Sequence, residues 1–145
     1  MNLQIPHISN HVIDFSRSLA CSWIGYVPVV SKPHCKEWDC HNNTLKYVDW
    51  YGGERILGYY LLECASSNKL CAILHSIVRR PNQTLIDITP FSDERNLNLF
   101  VILKNQTSNY NHPEVWNSQE TKISSYRIGD TKMDITDNTF SGLTL

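Results

Sequence analysis

Residues 70–91, LCAILHSIVRRPNQTLIDITPF, read as an apolar strand carrying one His, a tight turn, and a second apolar strand carrying one Asp. From Leu70 to Val78 only His75 and Ser76 interrupt the apolar run, which predicts a strand covered on both faces rather than a half-exposed one. An ionisable group buried there needs a partner. Asp87, set among Leu85, Ile86 and Ile88, supplies one if the turn sets the register. Pro81 and Asn82 suit the central positions of a type I turn, with Gln83 in the left-handed position of a three-residue loop. Arg80 and Thr84 then flank the loop, His75 lies opposite Thr89, and Asp87 is one diagonal step from His75 on the same face, roughly 7–8 Å away at the backbone. A two-residue loop would put the two groups on opposite faces, because a one-residue slip inverts every side chain. A non-Gly residue at position 83 costs about 1–2 kcal/mol in the left-handed region.

Working outward, 145 residues make one domain, large enough to bury a core without staples. Its expected parts are an N-terminal helix and arm (1–30), a core (35–105) and a polar, irregular C-terminal segment (106–145). The 13 basic residues balance 14 acidic ones with no basic stripe, so neither nucleic acid nor an anionic membrane is indicated as a partner. The odd set of five cysteines (Cys21, Cys35, Cys40, Cys64, Cys71) and an N-terminus without the pattern of a signal peptide predict free thiols in a reducing cytoplasm. No apolar window is long enough to span a bilayer.

Ile8, Val12, Phe15 and Leu19 form a helical stripe with Ser9 or Asn10 as the N-cap. Residues 24–30, interrupted by Pro28, suit an edge strand or an extended arm. After a loop over 31–39, Asp39 caps a second helix, CHNNTLKYVDWY, with Leu45 and Val48 on its buried face and Tyr47 and Tyr51 as candidates to join them, and Gly52-Gly53 ends it. Residues 54–64 and 97–103 read as strands, separated from the central hairpin by a polar turn at Ser66-Ser67-Asn68 and by a polar loop. Beyond Lys104, Tyr110, Val115, Trp116, Ile123, Tyr126, Ile128, Met133, Ile135 and Phe140 are scattered in a polar background that suits short strands at the domain edge.

The order is thus a cysteine in the first turn of a helix, a His on a buried strand, and an Asp on the next. Helix-terminal amides and an imidazolium stabilise a thiolate, the His moves the proton, and the Asp fixes the ring. This is the chain order of papain-like and transglutaminase-like cysteine enzymes. CHNN, YGG, GYYLLE, HSIVRRPNQTLIDITP and LFVIL also resemble a group of small, poorly characterised bacterial proteins. Their pattern has a Cys followed by Asn three residues on, a Gly-Gly, a Gly-Trp strand ending in Glu, a His-x-Val-Trp strand, a Pro-Asp-Gly turn and Asp-[Ile/Val]-Thr-Pro. The resemblance covers residues 35–105 and implies Cys40, His75 and Asp87 as the Cys-His-Asp set, with Asn43 and Glu63 on two further polar positions. The chain departs from the pattern at Gln83 for the turn Gly, Tyr59 for a Trp, and Val78 where a Trp is usual.

The expected fold is therefore α+β, an antiparallel sheet packed against a helix bearing an N-terminal Cys, of the papain-like or transglutaminase-like kind. The expected activity is thiol-dependent acyl chemistry: hydrolysis of an amide or peptide bond, or acyl transfer, on a peptide, protein or small amide substrate, with no cofactor. Cys40 is the nucleophile, His75 the general base and acid, and Asp87 the orienting carboxylate. Asn43 or His41 is a candidate second oxyanion donor beside the Cys40 amide, Trp38, Tyr59 and Tyr60 are candidate cleft walls, and Cys35 is the thiol expected to compete for a probe. Two other readings compete. His34, Cys35, Cys40 and His41 are crowded enough for zinc, although Cys-x4-Cys is a loose spacing with no second Cys pair. A non-catalytic binding module on the same fold is the other, since fold does not imply activity.

Overall fold

The computed structural model describes residues 3–64, 69–106, 121–124 and 142–145. Along the chain these form β1 (Leu3–Gln4), α1 (Asn10–Ser18), β2 (Cys21–Pro28), α2 (Cys40–Tyr51), β3 (Glu54–Cys64), β4 (Lys69–Arg79), β5 (Leu85–Ile86), β6 (Leu97–Leu103), β7 (Thr121–Ser124) and β8 (Leu143–Thr144). The architecture is α+β: one curled sheet in the order β5-β4-β3-β6-β2-β8, with β1 added to β3 and β7 to β4, every named strand pair being antiparallel. The Ser66-Ser67-Asn68 turn and the apolar positions expected beyond Lys104, Ile123 excepted, lie outside the described residues. No helix among the described residues is long and apolar enough to cross a membrane.

Both faces of the sheet are buried, which is why β3 and β4 are almost continuously apolar. Ser9 caps α1 by accepting from the Val12 amide at 3.3 Å, and the apolar stripe Ile8, Val12 and Phe15 packs on Ile24, Leu57, Leu61, Leu70 and Leu99. Each such fully buried side chain contributes roughly 1.5–3 kcal/mol. The opposite face holds Ile56, Tyr60, Leu62, Ile77 and Phe100, and strand alternation puts His75 among them.

The central hairpin closes with three residues. Arg80 N–H donates to Thr84 O and Gln83 N–H donates to Arg80 O, both at 2.8 Å, and Gln83 has φ 74°. Val78 pairs with Ile86 and Arg79 with Leu85, the register expected of that loop. The ladder does not run on to pair His75 with Thr89. After Ile86 the chain leaves β4: Asp87 N–H donates to Pro28 O at 2.9 Å, and Asp87 O accepts from Val30 N–H at 2.8 Å, a parallel bridge to the end of β2. The sheet therefore curls until the continuation of one outer strand meets β2, and Asp87 is the joint.

Of the edge strand or extended arm expected over 24–30, the structure has the strand, near the edge of the sheet with only the short β8 beyond it. The strand begins at Cys21, pairs with β6 throughout, and has Pro28 as its last residue. A proline there lacks only a donor, and its carbonyl is the group the joint uses.

The buried face of α2 also differs from expectation. Leu45 and Tyr51 are 38% and 63% exposed, whereas Cys40, His41, Asn43, Thr44 and Tyr47 are buried. The inward face is polar because its partners are hydrogen-bonding groups elsewhere in the fold, and only Tyr47 and Val48 pack on an apolar patch, formed by Val78, Ile86 and Ile88. Asp39 precedes the helix, but its carboxylate accepts from the Asn42 side chain at 2.9 Å rather than from a backbone amide. Gly52, at φ 78°, ends it.

Candidate active site

On its outer edge β4 pairs with β7 at Leu70–Ile73 and with β5 at Val78 and Arg79. The first turn of α2 meets the stretch between. His41 Nδ1 lies 2.5 Å from Ser76 Oγ, and Cys40, the residue before it, lines the same cleft as His75, near enough for the charges of His75 and His41 to act on its thiol. His75 and Ser76 point to opposite faces of the strand, so consecutive helix residues straddle its edge. The body of α2 accordingly lies over Val78, on the face away from His75, and only its N-terminus reaches the imidazole.

Asp87 completes the set. Its Oδ2 lies 2.8 Å from His75 Nε2, and its Oδ1 accepts from Thr89 N–H at 3.2 Å. With Nε2 engaged, Nδ1 is the His75 nitrogen available to the thiol. Tyr60 meets the imidazole edge-on at 5.0 Å, with Phe91 and Phe100 at 5.7 and 6.3 Å between ring centres.

Burial pushes the Cys40 thiol up. The charge of His75, hydrogen bonds from His41 and His75, and the charge of His41 outweigh it and bring the group down to about 6. Burial pulls His75 the other way from its partners: the charges of Asp87 and Cys40 and hydrogen bonds to both raise it to about 10. A thiol that titrates below its imidazole partner exists near neutrality as a thiolate–imidazolium pair. Cys35, the expected competitor, is pushed up to about 11 by burial, so it is the thiol form that stands there.

A cleft of about 640 Å³ opens over Cys40 and His75, walled by Trp38, Tyr60, Leu62, Ile73, Phe91 and Arg95. Trp38 is 67% exposed at φ 62°, on the loop leading into α2. Tyr60 and Trp38 thus stand where a wall was expected. Tyr59 does not: it is one residue out of phase with Tyr60 and packs into the core beneath α1. Glu63 falls on the same far face, buried and hydrogen-bonded to Gln4 Nε2 at 2.8 Å.

The expected oxyanion donors are committed elsewhere. Asn43 Nδ2 donates to Lys36 O at 2.8 Å and to Thr89 Oγ1 at 3.1 Å, and its Oδ1 accepts from Lys36 N–H at 3.1 Å. Asn43 therefore clamps the 31–39 loop and Thr89 to α2. His41 is bonded to Ser76 and does not line the cleft. The crowded zinc candidates diverge as well. His34 turns to Asn43 O at 3.3 Å and to Trp50, and Cys35 stays beside His34, while Cys40 and His41 face β4. Among the described residues no three His, Cys, Asp or Glu side chains gather in a metal-binding arrangement.

Two residues at the site were not anticipated. Asn98, fully buried in β6, donates from Nδ2 to Asp87 Oδ2 at 2.8 Å, and its Oδ1 accepts from Arg95 Nη1 at 2.9 Å. Asn98 shares the signal that exposed His75 and Asp87, a lone polar residue in an apolar run. Arg95 sits in a loop and carried no such signal. No family model, curated protein or solved structure matches this chain.

Proposed function

We propose that the protein is a cysteine enzyme of acyl transfer or amide hydrolysis, with Cys40 as nucleophile, His75 as general acid and base, and Asp87 as the group that orients and charges the imidazole. The observation that carries this reading is that Cys40 and His75 line one cleft, each shifting the ionisation of the other, with the imidazole hydrogen-bonded to the buried Asp87 carboxylate. A papain-like or transglutaminase-like arrangement, and kinship with the small bacterial proteins whose Cys, His and Asp pattern this chain resembles, belong to the same proposal.

In this reaction the thiolate adds to the acyl carbon of an amide or ester. The oxygen that becomes negative faces the helix start, where the Cys40 N–H has no partner within its own helix. His75 gives its proton to the departing amine or alcohol as the C–N or C–O bond breaks, leaving a thioester on Cys40. Water, or an acceptor amine, then loses a proton to His75 as it attacks the thioester, and the thiolate is restored with the ring again protonated. Asp87 keeps Nε2 as the protonated nitrogen throughout.

The test is labelling with a limiting electrophilic acyl or alkylating probe and mapping of the modified cysteine by mass spectrometry. Selective modification of Cys40, lost in His75→Ala, supports the proposal. Equal labelling of all five cysteines ends it.

The second reading, a non-catalytic binding module, is favoured by the 1% exposure of Cys40. It expects ligands to occupy the cleft without forming any adduct at the thiol.

A further inference from the structure

The polar line does not stop at Asp87. Asn98 joins it to Arg95, whose guanidinium is part of the cleft wall. The orientation of the Asn98 amide is unambiguous: a carboxylate faces its NH2 group and a guanidinium faces its oxygen, and the reverse assignment would set like against like. Arg95 is itself held on three sides. It pairs with Asp93, its Nε lying 2.9 Å from Oδ1 and 3.0 Å from Oδ2, and it stacks over Phe91 at 4.5 Å and Tyr60 at 5.6 Å. Both rings also contact His75.

We infer that Asn98 and Arg95 are positioning residues of the thiol site: Arg95 orients the Asn98 amide, and Asn98 holds the Asp87 carboxylate facing His75. This inference rests on the cysteine-enzyme reading and adds the part that keeps its carboxylate in place. Asp87 Oδ2 takes two donors at the same distance, His75 Nε2 and Asn98 Nδ2. Remove Asn98 and a buried carboxylate oxygen loses one of its two donors, so the carboxylate turns or recruits another proton, and the imidazolium loses its counter-charge. Remove the Arg95 cation and the Asn98 amide loses what sets its direction. The other ionisable groups facing this line are His41 and Cys40 at the thiol end and Tyr60, Asp93 and Glu37 on the cleft side.

The measurement is the rate of Cys40 alkylation by iodoacetamide against pH in the full chain, with the titration of His75 followed by ring 15N shifts. Asn98→Leu, which keeps the branched shape and removes both hydrogen bonds, is expected to raise the acid limb by about one pH unit, roughly a tenfold slower reaction at the acid end, and to lower the His75 midpoint. Arg95→Met and Arg95→Lys both keep a long side chain over Phe91 and Tyr60 and differ in the cation. Met is expected to shift both readings as Asn98→Leu does, and Lys, which keeps the cation without the planar fork that spans Asp93 and Asn98, to shift them less. Should Asn98→Leu fail to fold, the Arg95 pair decides alone. A native-like Arg95→Met profile, or an unshifted Asn98→Leu profile, overturns the inference while Cys40 remains the selective thiol. A native protein whose Cys40 is no more reactive than its other cysteines takes down the enzyme reading and this inference together.

Discussion

Asp87 Oδ2 stands 2.8 Å from His75 Nε2, although the two residues lie on segments that have already stopped pairing as strands. The backbone of Asp87 is bonded to Pro28 and Val30, so one residue joins the curl of the sheet to the orientation of the imidazole. Asp87→Ala should therefore lower stability by about 1–3 kcal/mol, because His75 and Asn98 are left with unpaired buried groups. Asp87→Asn keeps the shape and should cost less, yet it favours the wrong ring tautomer and should slow Cys40 acylation steeply. Urea midpoints together with probe-labelling rates separate the two effects. A fully reactive Asp87→Ala protein would make Asp87 structural only.

The opposed shifts of Cys40 and His75 define a pH window. The thiol, lowered to about 6, ionises as pH rises through that value, and His75, raised to about 10, keeps its proton until pH passes it. Alkylation, which needs the thiolate alone, should rise through about 6 and then level off. Amide turnover, which also needs the imidazolium, should be bell-shaped with limbs near 6 and 10. In His75→Ala the charge and hydrogen bond of His75 are lost while those of His41 remain, so the thiol should titrate well above about 6, and alkylation near pH 6.5 should fall by roughly tenfold or more. A native rate that climbs only above pH 8 would contradict the ion pair.

Much of the framework was legible because the relevant forces are local. The period of apolar residues marks α1, β3, β4 and β6, Gly52 marks the end of α2, and Pro81-Asn82-Gln83 sets a register that the Arg80–Thr84 hydrogen bond then carries. What was not legible depends on distant partners. Asn43 is buried and Leu45 exposed because Lys36 and Thr89 supply the hydrogen bonds that make polar burial possible. Alternation separates Tyr59 from Tyr60 but does not say which of two buried faces carries the cleft. The departure of Asp87 toward β2 is a contact between segments nearly 60 residues apart (28 to 87), for which the hairpin sequence holds no sign. Asn98 was visible as a polar residue in the run LNLFVIL, and only the fold shows that it faces a carboxylate.

Gly58 lies opposite His75 in the β3–β4 ladder and opposite Ile102 in β6. A Cβ there would stand 1.9 Å from Val101 O and 2.7 Å from the Phe100 ring, so backbone as well as side chain would have to move. Phe100 packs against His75 at 6.3 Å, and the displacement would be felt at the site. Gly58→Ala should destabilise the protein by roughly 1–3 kcal/mol and also slow Cys40 labelling under conditions where it remains folded. A thermal melt and a labelling rate check both halves, and an unchanged melting temperature would show that the sheet yields without cost.

Gln83 offers the opposite case, a position where the native residue is the strained one. Its φ of 74° lies in the left-handed region, and its side chain makes one exposed hydrogen bond, to Pro81 O at 3.3 Å. Relief of about 1–2 kcal/mol of backbone strain in Gln83→Gly is partly offset by about 0.5–1 kcal/mol of extra freedom in the unfolded chain. A net gain of between about 0 and 1.5 kcal/mol is expected, with a melting temperature that does not fall. The turn hydrogen bonds Arg80 N–H to Thr84 O and Gln83 N–H to Arg80 O use backbone atoms only, so the register, and with it the placement of His75 and Asp87 on one face, should survive the change. The Cys40 labelling rate should then equal that of the native protein. Gln83→Pro makes the control, since proline fixes φ near −65° and has no N–H for Arg80 O. That variant should lose the loop, slip the register or unfold, and in any of these cases Cys40 should lose its selectivity. If Gln83→Pro labels at the native rate, the three-residue turn does not govern the site.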